Sequence, residues 1–274
     1  MRIAVASGKG GTGKTTVAVN IAFIENISIL DLDVEEPNDY IFLKNIETDY
    51  EDKVYRPVPH VLKEKCTACG KCREVCEFNA IIALKDSVVV FPEICHSCGA
   101  CSYFCPENAI EEAKRKIGRI VSVHGSGNSE PIHLVYGELV VGEASPVPLI
   151  QEVKKRVGKD AILDCPPGTS CPMVEGISGS DFVILVTEPT PFGFHDLKLA
   201  VNVVDKLGID YGVVINKYEG TFNEVERFCE KQDIELLGKI PFSVEIAEKY
   251  SRGEILHEYR DNFKKIYDNV MSNV

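Results

Sequence analysis

Residues 8–16 read Gly8-Lys9-Gly10-Gly11-Thr12-Gly13-Lys14-Thr15-Thr16. An apolar run precedes them, residues 2–7 (RIAVAS), which predicts a short buried strand. Val17, Ala18, Ile21 and Ala22 follow at helical spacing and predict a helix over residues 14–25. The stretch between fits G-x-x-x-x-G-K-[ST], in the strand-then-helix setting that separates a phosphate loop from a chance glycine-rich turn. Its glycines let the backbone turn tightly and aim N–H groups inward, and the start of the helix completes an anion cradle. Lys14 is expected to reach the β- and γ-phosphates of ATP, and the Thr15 hydroxyl to ligate Mg²⁺. Residues 28–31 (SILD) form the next strand. This strand–loop–helix–strand order implies a parallel sheet with a crossover helix.

The same grammar returns in the second half. Residues 161–164 (AILD), 182–186 (FVILV) and 212–216 (GVVIN) are short apolar runs of the buried-strand type, and 236–240 ends at Pro241. Helices are expected over 147–157, over 195–207 with Gly208 as its stop, and from a capping box at Thr221–Glu224 to about residue 231. Residues 117–141 read as β-rich, with strands at 119–123, 132–135 and 138–141 and a turn at 125–129. Leu256, Tyr259, Phe263, Ile266 and Val270 recur at steps of three and four. They predict a tail helix packed on the sheet in preference to one lying on a membrane, because charges of both signs occupy its other face.

Eight of the eleven cysteines interrupt this pattern. Cys66, Cys69, Cys72 and Cys76 have the spacing C-x2-C-x2-C-x3-C, and Cys95, Cys98, Cys101 and Cys105 repeat it 29 residues on (66 to 95). About half of the positions in 66–81 recur in 95–110, so two copies of one structural unit are expected. Residues 80–84 and 87–91 suggest a small hairpin between them. Thiolates suit iron–sulfur clusters or zinc. Structural zinc generally takes C-x2-C pairs set far apart, whereas three cysteines at x2-x2 steps wrap three corners of an iron–sulfur cube.

Composition narrows the class. The chain has 274 residues, 45% of them hydrophobic, enough for one large α/β domain with a small insert. A formal charge of −12 argues against nucleic acid as a partner. No apolar run is long enough for a membrane span, and the N-terminus lacks the pattern of a signal peptide, so a cytoplasmic protein with reduced thiols is expected.

A second lysine, Lys9, ahead of the Gly10-Gly11 pair resembles the deviant Walker A motif of the MinD, ParA, Mrp and nitrogenase iron protein group. That resemblance implies an ATPase whose Lys9 reaches the nucleotide of an opposite subunit, hence a homodimer formed through the nucleotide face. Asp31-Leu32-Asp33 resembles the family's switch I, with Asp33 in the position that orients the attacking water. Asp164-Cys165-Pro166-Pro167-Gly168 resembles Walker B with switch II, implying that Asp164 holds the Mg²⁺ shell and that Gly168 senses the γ-phosphate. Taken singly, each aspartate would read as a cap or turn residue. Asn216 and Pro241 match the family's adenine-reading asparagine and base-pocket proline.

The cysteine repeat resembles the bacterial two-cluster ferredoxin, in which the fourth cysteine of each run serves the other cluster. Carried over, Cys66, Cys69, Cys72 and Cys105 hold one [4Fe-4S] cluster, and Cys95, Cys98, Cys101 and Cys76 the second. Pro106 fits the ferredoxin proline. Glu77 replaces its counterpart, from which a local backbone change is expected. Buried packing is the default for Cys165, Cys171 and Cys229, with a cluster-ligand role as the alternative for Cys171.

The implied fold is a mostly parallel sheet flanked by helices, residues 1–55 and 117–274, with a ferredoxin-like α+β insert at 56–116. The implied function is ATP-governed electron transfer to or from a partner protein. An Mrp-like scaffold that delivers clusters to apo-protein clients is the second reading, and a MinD- or ParA-like positioning switch the third.

Overall fold

Strand β1 (Arg2–Ala6) has two buried faces. Ile3 and Val5 enter one core, Ala4 and Ala6 the other, and none is more than 1% exposed. A strand covered on both sides needs no polar alternation, which is why it reads as a plain apolar run. The structure is a computed structural model that describes residues 1–126, 131–158 and 160–274.

From β1 the chain enters α1 (Lys14–Glu25), β2 (Ile29–Asp31) and β3 (Lys44–Val61). A small lobe follows, made of α2 (Lys71–Glu74), β4 (Ile81–Ala83), β5 (Val88–Val90) and α3 (Ala100–Tyr103). Then come β6 (Ile110–Ser126), β7 (Pro131–Leu139), α4 (Val147–Lys154), β8 (Ala161–Asp164), α5 (Cys171–Ile177) and β9 (Phe182–Thr187). The chain finishes with α6 (Pro191–Leu207), β10 (Tyr211–Tyr218), α7 (Glu224–Gln232), β11 (Glu235–Pro241), α8 (Val244–Ser251) and α9 (Arg260–Asn273).

The main sheet has the order β11-β10-β9-β1-β8-β2-β7-β6-β3. The seven strands from β11 to β7 are parallel, and β6 and β3 add an antiparallel edge. Helices α1 and α9 cover one face; α4, α5, α6 and α7 cover the other. This is the mostly parallel, helix-flanked sheet that the strand–helix–strand order predicts. Because β1 lies centrally, its C-terminal end opens where strand connections diverge, the usual ligand crevice of such sheets.

Several elements depart from expectation. The long strand β3 was not anticipated. Most of it is exposed, and it is held by a long ladder to β6, interrupted at three places, instead of by an apolar face. Pro57 and Pro59 are tolerated because β3 is the edge strand, where outward N–H groups have no ladder partner. Expected strands 132–135 and 138–141 merge into one strand, β7, which ends at Leu139, two residues short of expectation. Residues 127–129 of the expected turn lie outside the described residues. Thr221 does not cap α7: the helix starts at Glu224 with Asn223 as its cap, which leaves Thr221 too far upstream. Helix α4 stops three residues short of expectation, and α6 starts at Pro191, where the Thr190 hydroxyl accepts from Gly193 N at 3.0 Å. The tail helix packs Phe263, Ile266 and Val270 into the sheet core. Among the described residues, no helix is long and apolar enough to cross a membrane.

Candidate functional site

The loop between β1 and α1 is tied down from the far end of the chain. Asn216, at the end of β10, donates its side-chain amide to Thr12 O at 2.8 Å, and Lys217 Nζ donates to Gly11 O at 2.8 Å. Gly13 has φ 92°, and a β-carbon there would lie 2.1 Å from Asn216 Nδ2. A β-carbon on Gly8 would lie 2.2 Å from Asp196 O, so α6 buttresses the loop's other side. Gly10 and Gly11 are exposed with nothing near their missing β-carbons, which leaves room on the open face. Lys14 and Thr16 are buried at the helix start. The Asn216 amide is thus spent on the loop, and Pro241 is exposed at the end of the neighbouring β11.

Beneath the loop lies a buried acidic group. Thr15 Oγ1 donates to Asp164 Oδ2 at 2.6 Å. Asp31, Asp39 and Asp164 are at most 2% exposed. Asp31 accepts from the backbone N–H groups of Asp33 (3.0 Å), Asn38 (2.8 Å) and Asp39 (3.1 Å), which folds residues 31–39 back over the strand ends. Among the described residues, Asp164 Oδ1, both Asp39 carboxylate oxygens and Thr12 Oγ1 have no hydrogen-bond partner. Burial, and then Asp164, push Asp31 up to about 8; burial and then Asp31 push Asp39 well above the carboxylate range. Burial also raises Asp164, against the pull of Lys14 and Thr15. Unpaired buried carboxylates are costly unless a cation or proton joins them. The donors, carboxylate oxygens and a threonine hydroxyl, suit a hard divalent cation such as Mg²⁺.

Asp39 was not legible in the sequence. It opens a 3-10 turn (Asp39–Phe42), and only the return of the chain over β2 and β8 buries it. Asp33 lies at the rim. Burial pushes it up to about 6, against the attraction of Lys14. Gly168 donates its N–H to Ser7 O at 3.0 Å and needs glycine for its φ of 96°.

Lys9 turns inward onto Glu188 of its own chain, and Lys217 pairs with the other oxygen of Glu188 at 3.2 Å. Burial acts to raise Glu188, but the two ammonium groups outweigh it and hold the carboxyl below its ordinary range. Glu188, at the end of β9, carried no signal of its own in the sequence.

The cysteines form two groups in the lobe. One cavity is lined by Cys66, Cys69, Cys72 and Cys105, the other by Cys95, Cys98, Cys101 and Cys76. Each run therefore contributes three thiols to one cavity and its fourth to the other. The repeat extends to the backbone. Ala68 and Ser97 share the left-handed region (φ 53° and 57°), as do Gly70 and Gly99 (81° and 74°) and Asn79 and Asn108 (53° and 48°). Left-handed Ala and Ser are uncommon and persist only where surroundings hold them. Here the turns aim N–H groups at sulfur: Ser97 N donates to Cys95 Sγ and Ala109 N to Cys105 Sγ, both at 3.3 Å.

Glu77 is exposed and leaves the backbone unchanged. Asn79 N bonds Cys76 O at 3.3 Å as Asn108 N bonds Cys105 O at 3.2 Å, so the expected local change is absent. The turn is closed by that bond and does not need the fixed φ of proline. Burial raises the Cys72 and Cys101 thiols above their ordinary range, a cost that binding to iron as thiolates would offset. Cys165 and Cys229 are buried; burial pushes Cys229 up to about 11. Cys171 is exposed at the first position of α5, so it does not follow the buried-packing default.

Arg56 joins the lobe to the sheet. Its guanidinium donates to Cys95 O, to Pro92 O at 2.8 Å and to Ser97 Oγ at 3.0 Å, and pairs with buried Glu143 at 2.7 Å. Arg115 on β6 holds the other Glu143 oxygen at 2.7 Å.

Residues 3–256 match the CobQ/CobB/MinD/ParA nucleotide binding domain, and the chain belongs to that family of nucleotide-binding ATPases. A Methanocaldococcus jannaschii protein recorded as uncharacterized is 32% identical over 270 residues, 95% of this chain and 93% of that one. An iron-sulfur cluster carrier protein of Pyrococcus horikoshii is 26% identical over 293 residues, 95% of this chain and 80% of that protein. Among solved structures, the septum site-determining protein MinD of P. horikoshii OT3, complexed with Mg-ADP, matches with a TM-score of 0.56 at 20% identity, over 98% of this chain and 95% of that one. That likeness is one of fold.

Proposed function

We propose that the chain is an ATPase that couples its nucleotide state to electron transfer through two [4Fe-4S] clusters. The observation that carries this reading is the crossed grouping of the eight cysteines in two cavities on a lobe borne by β3 and β6. The ATPase unit comprises residues 1–55 and 117–274, and the ferredoxin-like insert residues 56–116. Its first and last residues continue strands β3 and β6, which run through Tyr55/Arg56 and Lys116/Ile117 with a bulge at Ile117 in their ladder. Movement at the nucleotide face can therefore be transmitted along a paired ribbon.

Lys14 and the loop amides bind the phosphates of ATP. Thr15 and Asp164, with Asp39 beside them, hold Mg²⁺; the unpartnered oxygens of Asp39 and Asp164 support that assignment. Asp33 orients the attacking water, and hydrolysis yields ADP and phosphate. With a pKa of about 6, Asp33 is mostly ionised at neutral pH and able to accept a hydrogen bond from that water. Lys9 leaves Glu188 to meet the nucleotide of a second copy, which closes a homodimer, and Gly168 follows the γ-phosphate. Asn216 and Pro241 line the base side. The clusters supply reversible one-electron storage. The lobe's thiols and N–H groups hold them, and closure of the dimer sets how the lobe meets a partner protein.

A second reading, ATP-dependent delivery of clusters to apo-protein clients, is supported by the carrier name of the Pyrococcus relative and by the exposure of Cys69 and Cys98. A positioning switch has no use for the cysteine lobe. Purification without oxygen, followed by iron analysis, reduced-state EPR and ATP turnover, tests the proposal. About eight irons per chain and reversible reduction are expected. Fewer than about four irons would defeat the two-cluster reading. Cluster loss to an apo-acceptor on ATP addition would favour delivery over electron transfer.

A further inference from the structure

We propose that Asp49, His124 and His133 form a divalent transition-metal site that takes Zn²⁺, separate from both the nucleotide cradle and the cysteine lobe. The three residues come from three strands. His124 on β6 lies directly opposite His133 on β7, and their rings stack with centroids 4.6 Å apart and planes 18° from parallel. Along β6, Val121 and Val123 turn into the core beneath α1, while Ile120 faces the other core. Period-two alternation puts Ser122 and His124 on the Ile120 side, and His133 on the matching side of β7 with Val135.

Asp49 reaches that face through an irregularity in β3. Thr48 pairs with Val123 and Tyr50 with Ser122, so Asp49 is an extra residue with no ladder partner of its own. Regular alternation would aim Asp49 away from Tyr50. A bulge re-aims it. Ser122 Oγ donates to Asp49 Oδ2 at 2.8 Å, and the other carboxylate oxygen lies 2.9 Å from His124 Nδ1. Ser122 Oγ also lies 2.9 Å from His133 Nε2. One ligand atom from each of Asp49, His124 and His133 lies within 4.8 Å of the others.

Two imidazoles and a carboxylate without thiolate suit Zn²⁺, Co²⁺ or a similar first-row ion. Three protein ligands leave one tetrahedral position for water, the pattern of a reactive rather than a closed structural site. His124 is about half exposed, so that position faces solvent. Ser122 is buried and touches both Asp49 and His133, which fixes their orientation from behind.

The test uses the full chain purified without oxygen, its cysteine lobe intact, dialysed against Co²⁺. Cobalt on thiolates shows sulfur-to-metal charge-transfer absorption, whereas cobalt on nitrogen and oxygen does not, so the two kinds of site are read apart. With Mg²⁺ in excess to fill the carboxylates of the cradle, the wild type is expected to bind one Co²⁺ with only weak visible d–d absorption, displaceable by Zn²⁺. His124→Ala is expected to lose it. Asp49→Asn, which keeps the shape and the bond to Ser122, is expected to bind at least about tenfold more weakly. Circular dichroism checks that both variants are folded. The proposal is overturned if the folded variants bind as much Co²⁺ with the same spectrum as the wild type, or if all bound cobalt shows thiolate absorption.

Discussion

Lys14, Asp31, Asp39, Asp164 and Asn216 meet at the nucleotide cradle although nearly the whole ATPase sheet separates them in sequence. The eight lobe cysteines lie within residues 66–105. The cradle is assembled by the sheet: β1, β8 and β2 end side by side, with β10 across β9 from β1, and each delivers one or two polar groups to the site. The lobe is assembled by its repeat. Its two small apolar clusters include the cysteines themselves, Cys95 with Val58 and Ala80, and Cys72 and Cys101 with Ile81. One site is thus fixed by a core that exists without ligand, while the other has almost no core apart from its ligand-bearing residues. The expected consequence is a division of labour in stability: the cradle outlasts loss of its ligand and the lobe does not.

Removing iron is the strongest way to break that contrast. Chelation under reducing conditions is expected to unfold residues 62–109, with proteolysis confined to that segment and the thermal transition of the sheet retained. Binding energies for structural metal–thiolate sites, on the order of 10 kcal/mol, far exceed what two three-residue apolar clusters supply. A lobe that stays protease-resistant without iron would show that its core suffices. Cys105→Ser sharpens the point. Although it lies in the second run, it is expected to remove iron from the cavity of Cys66, Cys69 and Cys72, read as half the iron per chain and one EPR signal instead of two.

Lys14→Ala comes next. ATP turnover is expected to fall by about 10² or more, the cost of deleting a positioned charge from a transition-state cradle, while iron content stays constant. Loss of iron in this variant would mean that the two sites are not separately built. Gly13→Ala is expected to destabilise the sheet by about 1–3 kcal/mol, because its φ is left-handed and the new carbon would strike Asn216. Denaturant melts of the two variants measure the difference.

A further effect is one of pH. The usual carboxylate value of 3.8 is raised to about 6 in Asp33 and to about 8 in Asp31. Between these limits the folded protein binds more protons than the unfolded chain. The contribution of these groups to stability therefore falls as pH rises from about 4 through 6 to 8. On the proposed reading, Mg²⁺ would replace those protons. The rise in melting temperature on adding Mg²⁺ is expected to be larger at pH 8 than at pH 5; an equal rise at both would place the cation elsewhere.

Much of the cradle could be read beforehand because its signals are local. The glycine loop needs its neighbours in the chain to turn, and Lys14 and Thr15 follow from the first helical turn. Asp39 and Glu188 could not be read, since nothing adjacent distinguishes them from surface carboxylates. They acquire roles when β2 finishes beside β8 and β9 beside β1. Likewise β3 was missed because its ladder, not its apolar face, makes it a strand.

By itself the sequence determined the parallel sheet, the phosphate loop and the twofold character of the cysteine lobe, because each rests on a pattern along the chain: short apolar runs, period 3.6, or an offset of 29. Tertiary structure alone decided which carboxylates share a buried point, where Lys9 rests, and that Arg56 and Glu143 join lobe to sheet. Those outcomes depend on burial and on contacts between distant strands, and a carboxylate or guanidinium is given its partner only when the fold takes its water away.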